Sequence, residues 1–256
     1  MRKFGLIGYP LGHSFSGTYF RDKFRQEQIA DCVYSNYEID SVLGLRDVLK
    51  DPELEGLNVT IPYKESVIPF LQKKDPVVSA IGACNCIRIT EGILTGYNTD
   101  VIGFEKSLIE KLTDKDRYAL ILGTGGSSKA VAWVLQKKGI QFLFVSRKAA
   151  GTPDVSGKPT GIPGLVMYSD LNREMMQKYT LIINTTPLGM FPETGTSADI
   201  PYAFAGPDHY FFDLVYNPAR TLFLEKGARA GARIKNGADM LAVQAEASWE
   251  IWNSQS

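Results

Sequence analysis

Short runs of β-branched and aromatic residues alternate with amphipathic stretches along most of this 256-residue chain. This alternation predicts an α/β protein, in which helices cover sheets of mainly parallel strands. The predicted strands are residues 4–7, 33–38, 57–60, 84–89, 93–97, 118–122, 141–145, 165–168, 181–184, 210–214 and 233–235. The predicted helices are residues 17–28, 41–50, 64–71, 76–81, 100–111, 127–138, 221–230 and 238–252. After the polar residues 113–116 the alternation becomes regular, which is typical of a doubly wound parallel sheet. Residues 151–164 hold four glycines and three prolines and are predicted to form a loop.

The composition excludes several classes of protein. The 28 Lys and Arg residues balance the 28 Asp and Glu residues, and this zero net charge argues against a broadly basic nucleic-acid binder. No apolar run approaches the roughly 18 residues that a membrane span needs, and Gly8 and Pro10 interrupt the apolar residues where a signal-peptide core would lie. The three cysteines and two histidines have no recognisable metal-site spacing. We therefore expect a cytoplasmic protein without a metal or a disulfide framework.

A glycine-rich turn, Gly-Thr-Gly-Gly-Ser at 123–127, follows one predicted strand and precedes a predicted helix. Backbone N–H groups at the N-terminus of a helix are unpaired and bind a pyrophosphate favourably. A lone glycine motif is weak evidence, but here the flanking strand and helix match. We therefore predict that Gly123, Gly125, Gly126 and Ser127 contact a dinucleotide; a tight turn without a ligand is the alternative.

The end of the next predicted strand indicates which dinucleotide binds. Ser146, Arg147 and Lys148 stand where an NAD-binding protein typically has an acidic residue for the ribose hydroxyls. A carboxylate there would repel a 2′-phosphate, whereas a guanidinium binds the phosphate and stacks on adenine. The sequence therefore predicts NADP, and the alternative is that Arg147 and Lys148 are solvated loop charges.

Four polar clusters outside the glycine-rich turn are hard to explain by packing. They are His-Ser-Phe-Ser at 13–16, Asn-Val-Thr-Ile-Pro-Tyr-Lys at 58–64, Gly-Ala-Cys-Asn-Cys at 82–86 and Gly-Tyr-Asn-Thr-Asp at 96–100. Each has an ordinary explanation when taken alone; Asp100, for example, could simply cap a helix. Beside a predicted dinucleotide site, the four together indicate a substrate site.

These clusters resemble the motifs of the shikimate dehydrogenase family. The resemblance covers nearly the whole chain in the family's order, and it also includes Asn-Thr-Thr-Pro-Leu-Gly-Met at 184–190, Asp-Leu-Val-Tyr-Asn-Pro at 213–218 and Met-Leu-x-x-Gln-Ala at 240–245. The chain departs from the family pattern at Gly17, Phe20 and Arg21, where Pro, His and Asn are usual, at Cys86, where Thr is common, and at 146–148.

The resemblance implies an architecture and an activity. It implies an α/β substrate-binding domain of residues 1–101 and 238–256, completed by the C-terminal helix, and a Rossmann-like NADP-binding domain of residues 102–237. The implied reaction is the NADPH-dependent reduction of 3-dehydroshikimate to shikimate, a step of chorismate and aromatic amino-acid synthesis. The implied protein is a monomer or homodimer that binds this small-molecule substrate, and it has neither a nucleic-acid nor a membrane partner.

The resemblance also implies roles for individual residues. Ser14 and Ser16 would bind the shikimate carboxylate, with Tyr216 nearby. The residues implied to bind the ring and its hydroxyls are Asn58, Thr60, Lys64, Asn85, Asp100 and Gln244. Beyond the glycine-rich turn, the residues implied to contact NADP are Ser146, Arg147, Lys148, Thr185, Thr186, Pro187, Met190, Leu214 and Gly237.

Lys64 and Asp100 are the predicted catalytic residues. Reduction of a ketone needs a hydride from the nicotinamide and a proton for the developing alkoxide. Because the chain has only two histidines, Lys64 is the natural proton donor and Asp100 the group that orients it. Two alternatives stay open: a relative that accepts quinate or NAD, and a catalytically inert ligand-sensing relative, which would be expected to lack Lys64 or Asp100.

Overall fold

The computed structural model describes residues 1–12, 15–147 and 164–254. The chain forms two compact units, Met1–Gly103 with Leu241–Ser256, and Phe104–Met240. Each unit contains a six-stranded sheet with helices, so the predicted α/β class is confirmed. Most of the loop predicted at 151–164 lies outside the described residues. Within the described ranges, none of the helices combines the length and the apolar character that a bilayer crossing requires.

The first unit is built on a mixed sheet. Its strands are β1 (Arg2–Gly8), β2 (Cys32–Glu38), β3 (Leu54–Val59), β4 (Lys73–Lys74), β5 (Cys86–Thr90) and β6 (Ile93–Tyr97). Its helices are α1 (Phe15–Gln26), α2 (Leu45–Val48), α3 (Pro76–Ile81), the start of α4 (Asp100–Ile109) and most of α8 (Ala238–Asn253). The strand order is β2-β1-β3-β5-β6-β4, with β1 parallel to β2 and β3, and β5 antiparallel to β3 and β6.

The C-terminal helix α8 packs against the sheet of the first unit through its aromatic residues. Trp252 is buried, stacks on Phe4 with ring centroids 4.9 Å apart, and donates its indole N–H to the carbonyl of Ile87 at 3.0 Å. Gly56 of β3 leaves the space for this ring, because a Cβ there would lie 2.3 Å from Trp252 Nε1. Trp252 of α8 is therefore buried against β1, β3 and β5.

The second unit has a wholly parallel sheet. Its strands are β7 (Tyr118–Leu122), β8 (Gln141–Ser146), β9 (Leu165–Met167), β10 (Leu181–Asn184), β11 (Tyr210–Asp213) and β12 (Arg233–Lys235), and its further helices are α5 (Gly126–Lys137), α6 (Arg173–Lys178) and α7 (Leu222–Arg229). The order β12-β11-β10-β7-β8-β9 confirms the predicted doubly wound sheet. The strand order reverses between β7 and β10, and in such sheets ligands bind beside the carboxyl ends of the strands at that point.

Some predicted elements are wrong. Residues 64–71 are not an α-helix but turns and the short 3₁₀ helix Ile68–Phe70, because Pro69 lacks an N–H and its ring disfavours an α-helical interior. The helix expected at 41–50 shortens to the 3₁₀ helix Val42–Gly44 and α2. Strand β4 and helix α6 were not predicted, although Asn172 caps α6 by accepting a hydrogen bond from Met175 N.

We predict that Gly56→Ala destabilises the protein by about 1–3 kcal/mol, because the added methyl group must displace the Trp252 indole from a close-packed face. Denaturant unfolding of the variant and the wild type measures this change. Gly206→Ala is the matched control, since a Cβ there would meet nothing within 4 Å. Equal losses of stability in the two variants would contradict the proposed packing of Trp252.

Candidate functional site

The polar residues predicted for the substrate site gather at one edge of the first sheet. Asn58 lies near the end of β3, Asn85 directly before β5, and Asp100 at the start of α4 after β6. Because β5 runs antiparallel to its neighbours, its first residue lies beside the ends of β3 and β6. Sequence-distant side chains are thus brought together by strand order.

Lys64 and Asp100 form an ion pair at this edge. The distance from Lys64 Nζ to Asp100 Oδ2 is 2.6 Å, and the two side chains are 14% and 8% exposed. The other carboxylate oxygen, Oδ1, accepts a hydrogen bond from Asn85 Nδ2 at 2.9 Å. A largely buried ion pair needs such further hydrogen bonds, because desolvation of both charges is costly.

The amides of Asn85 and Gln244 extend this arrangement. Asn85 Oδ1 accepts a hydrogen bond from Thr99 N at 2.6 Å, which sets the orientation of the Asn85 side chain. Gln244 Oε1 accepts from Thr99 Oγ1 at 3.3 Å and from Asn85 Nδ2 at 3.4 Å. The buried Gln244, an unusual residue in an otherwise apolar part of α8, therefore belongs to the same hydrogen-bonded set.

Asn58 connects this set to α8 and β2. Its Nδ2 donates to Ser248 Oγ at 2.9 Å, and its Oδ1 accepts from the Tyr34 hydroxyl at 2.9 Å. Burial holds the pKa of Tyr34 well above its usual value, and a hydrogen bond with Ser16 opposes this shift by a smaller amount. These residues together form what we term the first-unit polar cluster: Ser16, Tyr34, Asn58, Lys64, Asn85, Thr99, Asp100, Gln244 and Ser248.

The sequence did not predict a role for three members of this cluster, Tyr34, Thr99 and Ser248. Thr99 is fully buried. It directly precedes Asp100 in the Tyr-Asn-Thr-Asp motif, and this position in the sequence could have indicated a role in the site. Ser248 lies four residues after Gln244 and therefore on the same face of α8. No comparable local signal marks Tyr34, because only the pairing of β2 with β1 brings it near Asn58.

Three other predicted substrate residues, Thr60, Ser14 and Tyr216, are not members of the first-unit polar cluster. Thr60 is half-buried directly after β3, with its methyl group against Gly8. Ser14 lies outside the described residues. Tyr216 belongs to the second unit, where it is half-buried in the segment between β11 and α7.

The glycine-rich turn follows β7 at the reversal point of the second sheet. Gly123 has φ +111°, in the region that favours glycine, and a Cβ on it would lie 2.9 Å from Thr185 Oγ1 and 3.0 Å from Thr186 Cγ2. The turns after β7 and β10 are therefore in close contact. Gly125 precedes α5 and makes no side-chain cap, and a Cβ there would meet open space.

Further predicted NADP residues of the second unit lie at the ends of strands or in the segments that follow them. Ser146 ends β8, and the exposed Arg147 comes next; Lys148 lies outside the described residues. Pro187 and Met190 are exposed in the turn after β10. That turn is anchored by Thr185 Oγ1, which donates to the carbonyl of Leu122 at 2.7 Å.

Leu214 and Gly237, both predicted to contact NADP, touch each other. A Cβ on Gly237 would lie 2.4 Å from the carbonyl oxygen of Leu214, so only glycine permits this approach of the backbones. The segment after β12 is thereby held against the segment after β11. Gly123, Gly126, Leu214 and Gly237 all follow the carboxyl ends of strands in the same parallel sheet. The predicted NADP contacts therefore lie along one edge of that sheet.

Comparison with known proteins places this architecture in a family. Residues 6–87 match the family model described as the shikimate dehydrogenase substrate binding domain. The shikimate dehydrogenase (NADP(+)) of Caldicellulosiruptor bescii is 35% identical over 258 residues, which cover 98% of this chain and 89% of that protein. The match therefore extends over both units.

Solved structures agree with this assignment. Shikimate dehydrogenase 1 from Peptoclostridium difficile superposes with a TM-score of 0.84 at 34% identity, covering 100% of this chain and 93% of that one. Shikimate 5-dehydrogenase from Thermus thermophilus, in complex with NADP(H) and shikimate, superposes with a TM-score of 0.82 at 26% identity, covering 99% and 94%. This chain belongs to the shikimate dehydrogenase family.

Proposed function

We propose that this chain catalyses the NADP-dependent interconversion of 3-dehydroshikimate and shikimate. The observation that carries the proposal is the Lys64–Asp100 pair, joined at 2.6 Å within the first-unit polar cluster. A positioned amine beside a set of oriented amides suits proton transfer to or from a hydroxyl-rich substrate. Support also comes from the Thermus thermophilus relative, whose structure contains NADP(H) and shikimate.

The first-unit polar cluster has the donors and acceptors that a polyhydroxylated ring needs. Amide side chains offer both an acceptor oxygen and donor hydrogens, and a carboxylate accepts from hydroxyls. The residues we assign to the ring hydroxyls are Asn58, Thr60, Lys64, Asn85, Asp100 and Gln244. We assign the substrate carboxylate to Ser14, Ser16 and Tyr216. In this proposal Met1–Gly103 with Leu241–Ser256 is the substrate-binding domain, and Phe104–Met240 is the NADP-binding domain.

The residues at the carboxyl edge of the second sheet fit a bound dinucleotide. Open space at Gly125 and the absence of a side-chain cap there leave the N-terminus of α5 accessible to a pyrophosphate. The exposed guanidinium of Arg147, at the end of β8, suits a 2′-phosphate. We assign the pyrophosphate to Gly123, Gly125, Gly126 and Ser127. The further assigned contacts are Ser146, Arg147, Lys148, Thr185, Thr186, Pro187, Met190, Leu214 and Gly237.

The proton chemistry belongs to Lys64. When bound, NADPH supplies the hydride that reduces the ketone carbon. Lys64 Nζ donates a proton to the developing alkoxide, and its positive charge stabilises that oxygen as the charge forms. Asp100 Oδ2 holds the ammonium group in place, while Asn85 holds the other oxygen of the carboxylate. In the oxidative direction, the same amine accepts the proton of the hydroxyl.

The pairing of Lys64 with Asp100 favours an enzyme over an inert ligand-sensing relative, because both catalytic residues are present and in contact. The basic Arg147 favours NADP over NAD. As further parts of the proposal, the partner is a small molecule and not a nucleic acid, and the protein acts in the cytoplasm as a monomer or homodimer.

Steady-state rates with shikimate or quinate, each against NADP⁺ and NAD⁺, test the proposal as a whole. We expect turnover of shikimate with NADP⁺ to exceed that of the other three combinations, measured by NADPH formation. Absence of shikimate turnover with NADP⁺ would overturn the proposed function. Preferred turnover of quinate or NAD⁺ would assign the chain to the alternative with a different substrate or cofactor preference.

We predict that Lys64→Ala lowers kcat by about 10²–10⁴-fold, because the reaction loses its proton donor. Lys23→Ala is the matched control. Lys23 is another lysine of the first unit with a mostly buried side chain, and its Nζ lies 2.9 Å from Glu246 Oε2. This control should lower the melting temperature and leave kcat unchanged. A near-normal kcat in Lys64→Ala would remove Lys64 from its assigned role.

We predict that Arg147→Ala raises the KM for NADP⁺ about tenfold, equivalent to roughly 1.4 kcal/mol, and leaves the KM for NAD⁺ unchanged. The reason is that only NADP⁺ has the 2′-phosphate. Arg229→Ala, which removes an exposed guanidinium from the last turn of α7, is the control and should change neither constant. Parallel changes of both KM values in Arg147→Ala would contradict phosphate recognition.

A further inference from the structure

Asp213, the last residue of β11, is a fully buried carboxylate whose hydrogen-bond donors are all neutral. Its Oδ1 accepts from Asn184 Nδ2 at 2.9 Å and from Val215 N at 3.0 Å, and its Oδ2 accepts from Thr221 Oγ1 at 2.5 Å. Burial raises the pKa of Asp213 to about 6, against the opposing effect of these three hydrogen bonds. Because burial of a charge without an opposite charge is costly, packing alone does not explain a carboxylate here.

The bond to Asn184 orients the turn after β10. Since Asn184 Nδ2 points at Asp213, its Oδ1 faces the turn and accepts from Thr186 N at 3.1 Å and from Thr186 Oγ1 at 2.6 Å. Thr186 Oγ1 in turn accepts from Leu188 N at 3.3 Å. The shape of residues 184–188 therefore depends on which way the Asn184 amide points. Asn184 Nδ2 also donates to the carbonyl of Leu188 at 3.4 Å, so the shorter bond to Asp213, at 2.9 Å, and the bond to Leu188 favour the same direction.

The bonds to Val215 and Thr221 hold the segment between β11 and α7. Thr221 caps α7 by accepting from Leu224 N at 3.3 Å, so the carboxylate joins the two ends of this segment. A backbone hydrogen bond from Phe191 N to the carbonyl of Asn217, at 3.0 Å, links this segment to the turn after β10. One buried carboxylate thus contacts both segments.

We infer that Asp213 is a positioning residue that, through Asn184 and Thr221, holds the segments 184–190 and 214–220 in the arrangement that receives NADP. It acts through its neighbours, because its own oxygens are buried and occupied. The inference rests on the proposed function, which assigns Thr186, Met190 and Leu214 to the cofactor.

Two substitutions of Asp213 test this role in the full-length enzyme. Asp213→Ala removes all three acceptor contacts, whereas Asp213→Asn keeps an oxygen for Asn184 and Val215 and changes only the contact with Thr221. We expect the Kd of NADPH, measured by fluorescence titration without shikimate, to rise about tenfold or more for Asp213→Ala and about threefold for Asp213→Asn. The KM for shikimate at saturating NADP⁺ should stay at the wild-type value in both.

Asp116→Asn is the matched control for a structural carboxylate. Asp116 is also buried in the second unit, but it precedes β7, at the opposite edge of the sheet, and pairs with Arg233 at 2.8 Å. Its substitution should lower the melting temperature without changing the Kd of NADPH. If Asp213→Ala fails to fold, Asp213→Asn alone decides, because it is isosteric, keeps an acceptor oxygen for Asn184 and Val215, and loses only the buried charge and the acceptor for Thr221.

A double-mutant cycle tests whether Asp213 acts through Asn184. We expect Asn184→Ala to weaken NADPH binding, and Asp213→Ala to add little in that background, since interacting residues are not additive. An unchanged Kd of NADPH in both Asp213 variants, or fully additive losses in the cycle, would overturn the inference. A wild-type enzyme that binds no NADPH would instead overturn the proposed function on which the inference rests.

Discussion

The arrangement of the polar residues in the first unit depends on one ion pair, between Lys64 and Asp100, which has little access to water. Lys64 and Asp100 are 14% and 8% exposed, so their charges lose most of their hydration, and the structure compensates with direct contacts. Asn85 Nδ2 donates to Oδ1 of Asp100, and Thr99 N donates to Asn85 Oδ1. Gln244 Oε1 accepts from both Asn85 and Thr99. The amides that we assign to substrate binding thus also compensate, through hydrogen bonds, for the desolvation cost of the ion pair.

In the second unit, backbone shape positions the predicted NADP contacts more than charged side chains do. Gly123 and Gly237 allow approaches that a Cβ would block, and they bring the segments after four neighbouring strands to one edge of the sheet. Two buried carboxylates are used differently in this unit. Asp116 has Arg233 as a charged partner. The described hydrogen-bond donors to Asp213 are all neutral, and burial raises the pKa of this carboxyl. Asp213 lies where the segments after β10 and β11, which we propose to contact NADP, are joined by its hydrogen bonds.

Much of the fold was predictable from periodicity, because β7, β8 and β10 are short, mainly apolar runs between clear turn signals. The helix expected at 64–71 is wrong because Pro69 lacks the N–H that an α-helical interior needs and its ring disfavours one. The candidate site was predictable where its residues fall in contiguous motifs. Tyr34 and Ser248 were missed because their partner Asn58 is remote in sequence and lies on a different element.

The sequence by itself determined the class of fold, the glycine turn, the basic residue after β8 and the residue types available for catalysis. These follow from local properties: periodicity, backbone freedom and side-chain chemistry. Only the tertiary structure decided that Asn85 donates to Asp100, that Gln244 reaches the same cluster from α8, and that Asn184 donates to Asp213. The physical reason is that hydrogen bonds are directional and short-ranged, so strand order and helix packing, which no local pattern specifies, select the partner of each buried polar group.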